Sequence, residues 1–173
     1  MTLNEVTALI RDVPDFPSPG IVFKDITPLL ADPAGFDTVI DQFAQRLSGL
    51  DADAIFGIES RGFIFGAALA NRMALPLHLV RKKGKLPRET ISIAYALEYG
   101  VDHLEVHRDA LVPGAKCLVV DDVIATGGTA QATAKLIEDN GASVAAFAFV
   151  IELSFLSGRD KLNGCRIESL ITY

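Results

Sequence analysis

Two adjacent carboxylates followed by small and hydroxylated residues form the most chemically suggestive stretch of the chain, Val119-Val120-Asp121-Asp122-Val123-Ile124-Ala125-Thr126-Gly127-Gly128-Thr129. An apolar run ends at the aspartates, a turn follows, and a helical pattern starts at Thr129. In open α/β sheets, ligands sit at the carboxyl ends of strands. A glycine-rich turn leaves backbone N–H groups free at a helix N-terminus, which suits a phosphate. Glycine allows close backbone approach, and the Thr126 and Thr129 hydroxyls add donors. Asp121 and Asp122 can hold ribose hydroxyls, or magnesium through water. Gly127-Gly128 alone would be an ordinary turn, but the whole string is more specific. It is not a Walker A loop, since no Gly-Lys-Thr follows a four-residue spacer.

Other strings share this character. Gly57-Ile58-Glu59-Ser60-Arg61-Gly62-Phe63 again takes a strand into a polar turn before a helix. Arg81-Lys82-Lys83-Gly84-Lys85-Leu86-Pro87-Arg88 gathers five of the chain's 16 Lys and Arg. Such a run is usually a solvated surface. Ala96-Leu97-Glu98-Tyr99-Gly100 places a lone glutamate in an irregular stretch, and Asp15-Phe16-Pro17-Ser18-Pro19-Gly20-Ile21-Val22-Phe23-Lys24-Asp25-Ile26-Thr27-Pro28 is too rich in proline for regular helix.

The 119–129 string resembles the motif by which type I phosphoribosyltransferases bind phosphoribosyl diphosphate (PRPP). In members that use 6-oxopurines, the residue before the Thr-Gly turn is usually aspartate. Here it is Ala125, as in adenine phosphoribosyltransferases, and the 15–28 string is similar to the N-terminal hood of that family. The resemblance implies that Phe23 stacks on adenine, that backbone groups of Val22 and Lys24 read the base edge, and that Leu153 packs on the other face. A flat ring held between Phe and Leu gains burial and stacking. It implies a diphosphate loop at Glu59, Ser60, Arg61 and Gly62, with a cis peptide at Glu59-Ser60. Arg61 is suited to charge-assisted contacts with diphosphate, and Arg81, Lys82 and Lys85 are expected to assist across a dimer interface. Asp121, Asp122, Ala125, Thr126, Gly127, Gly128 and Thr129 would hold PRPP or AMP. Glu98 becomes the catalytic candidate beside Arg61, in a mobile loop spanning about 82–100. Magnesium is expected to arrive with PRPP, with no direct protein ligand. Implied partners are adenine, PRPP, AMP, diphosphate and a second copy of the chain.

These residues need a scaffold, and the apolar pattern supplies one. Thr2 with Glu5 is a capping box, and Leu3, Val6, Leu9 and Ile10 predict a helix over 3–12. Asp32-Pro33 starts a second helix whose apolar face runs from Phe36 to Leu47. Strands are predicted at 54–58, 77–80, 118–120 and 144–151, helices at 63–73 and 129–140, and weak strand signals at 91–96. Residues 21–28 read as a structured loop. Alternating short strands and helices indicate an α/β fold with a mostly parallel central sheet flanked by helices, in a single 1–173 domain with a hood over about 1–30.

Composition narrows the function classes. At 173 residues, 50% hydrophobic and 22% charged, the chain is long and apolar enough for a core. A net charge of -6 disfavours binding to nucleic acid but leaves room for a local basic site. No signal-peptide pattern opens the sequence and no apolar run is long enough for a bilayer, so a cytoplasmic protein without membrane contact is expected. Cys117 sits in an apolar strand and reads as buried. A 6-oxopurine enzyme and a PRPP-sensing regulator are the competing readings. Ala125 and the hood argue against the first. The acidic charge and the absence of spare length for a DNA-binding segment argue against the second.

Overall fold

Thr2 caps the first helix, α1 (Leu3–Thr7), by accepting from the Glu5 N–H at 3.3 Å while the Glu5 carboxylate takes the Thr2 N–H at 2.7 Å. The computed structural model describes residues 1–96 and 100–173. The helix stops well short of residue 12. Pro14 biases the residue before it toward extended backbone, and Arg11–Pro14 becomes β1, antiparallel to β2 (Val22–Asp25) with Val13 opposite Phe23. The expected 21–28 loop is thus part strand. It is also part helix, because the Asp25 carboxylate accepts from the Thr27 N–H (2.9 Å) and hydroxyl (2.8 Å) and Pro28 sits in the first turn of α2 (Thr27–Ala31). The long helix α3 (Pro33–Leu47) starts where Asp32-Pro33 indicated, with Asp32 accepting from the Gly35 N–H at 2.7 Å.

The sheet follows. Its elements are β3 (Ala54–Ile58), α4 (Gly62–Met73), β4 (Leu77–Lys82), β5 (Thr90–Ala96), β6 (Val101–His107), β7 (Lys116–Ile124), α5 (Gly128–Glu138), β8 (Ser143–Glu152) and β9 (Ile167–Thr172). Seven strands lie in the order β5-β6-β4-β3-β7-β8-β9, with β4, β3, β7, β8 and β9 parallel and the β5–β6 hairpin antiparallel at one edge. Within the segment 82–100, expected as a mobile loop, Thr90–Ala96 form β5, which pairs along its length with Val101–His107. β6 and β9 were not legible in the sequence.

Successive residues of a strand face opposite sides of a sheet. Leu118 and Val120 therefore pack with Phe65 and Leu69 of α4 and with Val39 and Phe43 of α3, while Cys117 and Val119 pack with Leu136 and Ile137 of α5. Each such side chain, fully buried, contributes roughly 1.5–3 kcal/mol. Helices α4 and α5 thus cover opposite faces, and the connections leaving β3 and β7 diverge. Adjacent strands with diverging connections open a crevice at their carboxyl ends, which is where the two polar turns lie.

Candidate active site

The turn after β3 and the turn after β7 meet through one glycine. A Cβ on Gly62 would lie 2.7 Å from the Val120 carbonyl oxygen and 2.8 Å from an Asp121 carboxylate oxygen, so only glycine lets α4 start this close to β7. The approach carries Arg61 Nε to 2.9 Å from Asp122 Oδ2. Between the two turns lies a cleft of about 370 Å³, lined by Glu59, Ser60, Arg61, Asp121, Asp122, Ala125, Thr126, Gly127 and Thr129. The peptide Glu59–Ser60 is cis. Both aspartates lie inside the paired length of β7, with Asp121 opposite Phe149, rather than beyond its end.

Burial raises the Asp121 carboxyl well above the usual carboxylate range, and the neighbouring Asp122 charge adds to the effect. Burial also raises Asp122, with the Arg61 guanidinium pulling the other way. Asp121 Oδ1 accepts from the Asp122 N–H at 2.8 Å. Asp122 is 3% exposed, and its Oδ2 meets Arg61 without the alignment of a hydrogen bond. A buried carboxylate oxygen left in this state is suited to a ligand hydroxyl or to a water on a cation. Among the described residues no cluster of three or more His, Cys, Asp or Glu could cage a metal. The donor set fits magnesium that keeps its waters and arrives on a phosphate-bearing ligand.

The Thr126–Thr129 turn is held from behind. Gly127 has φ 77°, and a Cβ there would lie 2.3 Å from the Gly158 carbonyl oxygen. A Cβ on Gly158 would lie 2.1 Å from the Ala125 carbonyl oxygen. The Leu153 N–H donates to the Ile124 carbonyl at 3.0 Å, and Arg159 forks onto Glu152 at 2.8 and 2.5 Å. Gly158 and Arg159 had no signal in the sequence, because nothing local says what a C-terminal turn packs against.

The cations assemble around Glu59. Its carboxylate receives Lys85 Nζ at 2.7 Å, the Lys82 N–H at 2.9 Å and Arg81 Nε at 3.3 Å. Burial pushes Glu59 up, but Lys85, the Lys82 N–H and Arg81 outweigh it and hold the carboxyl below its ordinary value. Glu59, grouped in the sequence with the diphosphate-binding residues, gathers their cations here. The Lys82 ammonium turns to Asp102 on β6, 3.0 Å away. In the hood, Phe23 has the Arg61 guanidinium 4.9 Å from its ring centroid and Phe16 edge-on at 5.2 Å. Lys24 sends its ammonium to Asp12 at 2.6 Å and over the Tyr173 ring, leaving only its backbone for a base. Val22 is exposed, and Leu153 is half-buried against the core. Glu98 lies outside the described residues.

The seven-stranded sheet, with a small-residue turn and a cationic loop facing each other at its switch point, has the fold of a type I phosphoribosyltransferase. Residues 25–163 match the phosphoribosyl transferase domain. An adenine phosphoribosyltransferase of Roseiflexus sp. (strain RS-1) is 55% identical, with 100% of each chain covered. The crystal structure of adenine phosphoribosyltransferase from Thermoanaerobacter pseudethanolicus superposes with a TM-score of 0.97 at 50% identity, covering 99% of this chain and 100% of that one. The Saccharomyces cerevisiae enzyme, complexed with an imino-altritol bisphosphate and adenine, gives 0.92 at 40% identity with 97% of both chains covered. The chain belongs to the adenine phosphoribosyltransferase family.

Proposed function

We propose that the chain transfers the 5-phosphoribosyl group of PRPP to adenine, giving AMP and diphosphate in purine salvage. The cleft between residues 59–61 and 121–129, with an under-satisfied buried Asp122 in it, carries this reading. The Thr126–Thr129 turn takes the 5′-phosphate on its free N–H groups. Asp121 and Asp122 take the ribose hydroxyls, and the occupant of Asp122 displaces Arg61 toward the leaving diphosphate. Arg81, Lys82 and Lys85 supply further positive charge where leaving-group charge develops. Magnesium, when bound with PRPP, adds charge stabilisation at the same oxygens. Phe23 and Leu153 sandwich adenine, backbone groups of Val22 and Lys24 read its edge, and Ala125 leaves out the carboxylate that a 6-oxopurine would use. Holding both reactants in place removes much of the entropic cost of their meeting. Glu98 keeps the role that resemblance gives it, assisting proton movement as adenine N9 becomes the nucleophile.

A homodimer acting in the cytoplasm belongs to the same proposal. No helix among the described residues is long and apolar enough to cross a membrane. The test is kcat/KM for adenine, hypoxanthine and guanine with PRPP and magnesium. Adenine should lead by about 10⁴-fold or more, the scale on which a site built to hydrogen-bond one substrate rejects an analogue that leaves its polar groups unpaired. Comparable values for hypoxanthine would sink the assignment.

A further inference from the structure

Both walls of the adenine site lean on one residue outside it. Tyr173 follows β9. Its N–H donates to the Glu152 carbonyl at 2.9 Å, and its main-chain oxygen accepts from the Ser154 N–H at 2.9 Å and the Ser154 hydroxyl at 2.6 Å. These bonds straddle Leu153, whose own N–H donates to Ile124 at 3.0 Å. The Tyr173 ring then reaches the hood. The Lys24 ammonium stands 3.6 Å from the ring centroid, and the Lys24 side chain is only 13% exposed. Phe23 and Lys24 are neighbours on β2, so their side chains project to opposite sides. Phe23 meets Arg61, and Lys24 meets Tyr173. Lys24 also pairs with Asp12, but Asp12 lies opposite it on β1, so that pair fastens the hood hairpin to itself.

We infer that Tyr173 is a positioning residue for adenine: its backbone fixes Leu153, and its ring anchors, through Lys24, the hood strand that carries Phe23. The inference rests on the placement of adenine between Phe23 and Leu153 proposed above. In the empty site two cation–ring contacts join the hood to the body, Arg61 with Phe23 and Lys24 with Tyr173. Adenine takes the face of Phe23 and diphosphate takes the Arg61 guanidinium, so the first contact is given up as the substrates bind. The second stands away from both substrates and remains. A single residue thus sets one wall of the base site against the other. Without its ring the hood spends part of its time undocked, and the apparent affinity for adenine falls with the docked fraction.

Steady-state kinetics on the intact protein test the idea, with KM for adenine and KM for PRPP measured separately. Tyr173→Leu keeps the backbone bonds and the apolar bulk but removes the ring. It should raise KM for adenine about 2- to 30-fold, the equivalent of the roughly 0.5–2 kcal/mol that a cation–π contact supplies. The KM for PRPP and kcat should change little, since uniform binding of one substrate appears in its own KM. Tyr173→Phe keeps a ring and should restore KM for adenine to near the wild-type value. Lys24→Met keeps the backbone that reads the base and should match Tyr173→Leu. The double variant should be no worse than either single one, because both remove the same contact. An unchanged KM for adenine in Tyr173→Leu would overturn the inference. So would both KM values rising together with a lower melting temperature, the mark of a merely structural role, or losses that add in the double variant. A wild type that does not use adenine would overturn the substrate placement, and this inference with it.

Discussion

The two turns that face each other across the cleft are held by different physics. The turn after β7 is held by backbone: Gly127 and Gly158 pack where no Cβ fits, and Leu153 ties down Ile124. The loop after β3 and its basic neighbour are held by charge, with Glu59 binding Arg81 and Lys85, and Asp102 binding Lys82. Backbone packing gives a cradle that keeps one shape whatever the salt or pH. Ion pairs give one whose cations can be handed to a ligand. The difference suits the proposed reaction, in which the 5′-phosphate stays bound while diphosphate departs.

The largest effect should come from breaking the packed side. In Gly158→Ala the new methyl would sit 2.1 Å from the Ala125 carbonyl oxygen and 2.8 Å from the Gly127 nitrogen, so backbone has to move. Overpacking of this kind costs about 1–3 kcal/mol of stability. A shift of about 1 Å in a positioning element can cost around 10²-fold in rate, so kcat/KM for PRPP should fall on that scale while adenine affinity holds. Near-normal kcat/KM would show that the turn adapts and that backbone packing is not what shapes it.

Breaking the charged side should cost less. In Glu59→Gln, Arg81 and Lys85 lose the carboxylate that collects them. The ligand must then order both side chains itself, at about 0.5–1.5 kcal/mol each, which corresponds to roughly a 5- to 150-fold rise in KM for PRPP. The value of kcat should change little, since uniform binding appears in KM. The opposite sign is also informative. If KM falls, Glu59 competes with diphosphate for the cations rather than arranging them.

Legibility in the sequence divides along the same line. The backbone cradle was readable because strand, small-residue turn and helix are contiguous: 119–129 showed the aspartates, the turn and the following helix in one string. What stands behind it was not readable, because Gly158 and Arg159 reach the turn through tertiary packing. The cations could be counted in 81–88, but not their partners, since Glu59 and Asp102 come from other strands. The hairpin shows the same limit. Thr90–Ala96 alternates half-buried and exposed residues, while Val101–His107 buries Leu104, Glu105 and Val106 in succession and lacks the alternation that marks a strand. The N-terminal helix was read too long because Leu9 and Ile10 keep helical spacing but pack inward beyond the helix end, Ile10 buried in the core and Leu9 half-buried beside Gly35.

The smallest effect sharpens the comparison from inside the cleft, where the packed side carries its own charges. Asp121 is raised by burial first and by Asp122 second. A carboxyl whose folded pKa lies above its unfolded value binds more protons folded than unfolded between the two, so ionising it opposes folding as pH rises through that window. The penalty is absent below the ordinary carboxylate pKa and complete above the raised one. Asp121→Asn removes the charge and keeps an Oδ1 that can accept from the Asp122 N–H, the bond seen at 2.8 Å. The variant should therefore melt slightly higher than the wild type at pH 7 and match it near pH 4. Glu59, Asp102 and Glu152 are shifted the other way and lose stabilisation as pH falls, but they do so in both proteins and cancel in the difference. Turnover with PRPP should fall sharply, because a carboxylate proposed to hold ribose is gone. Melting curves at several pH values, run beside single-turnover AMP formation, check both halves. Equal stability across the range would mean that Asp121 is not strained by its burial, whereas gained stability with intact turnover would remove it from the substrate site.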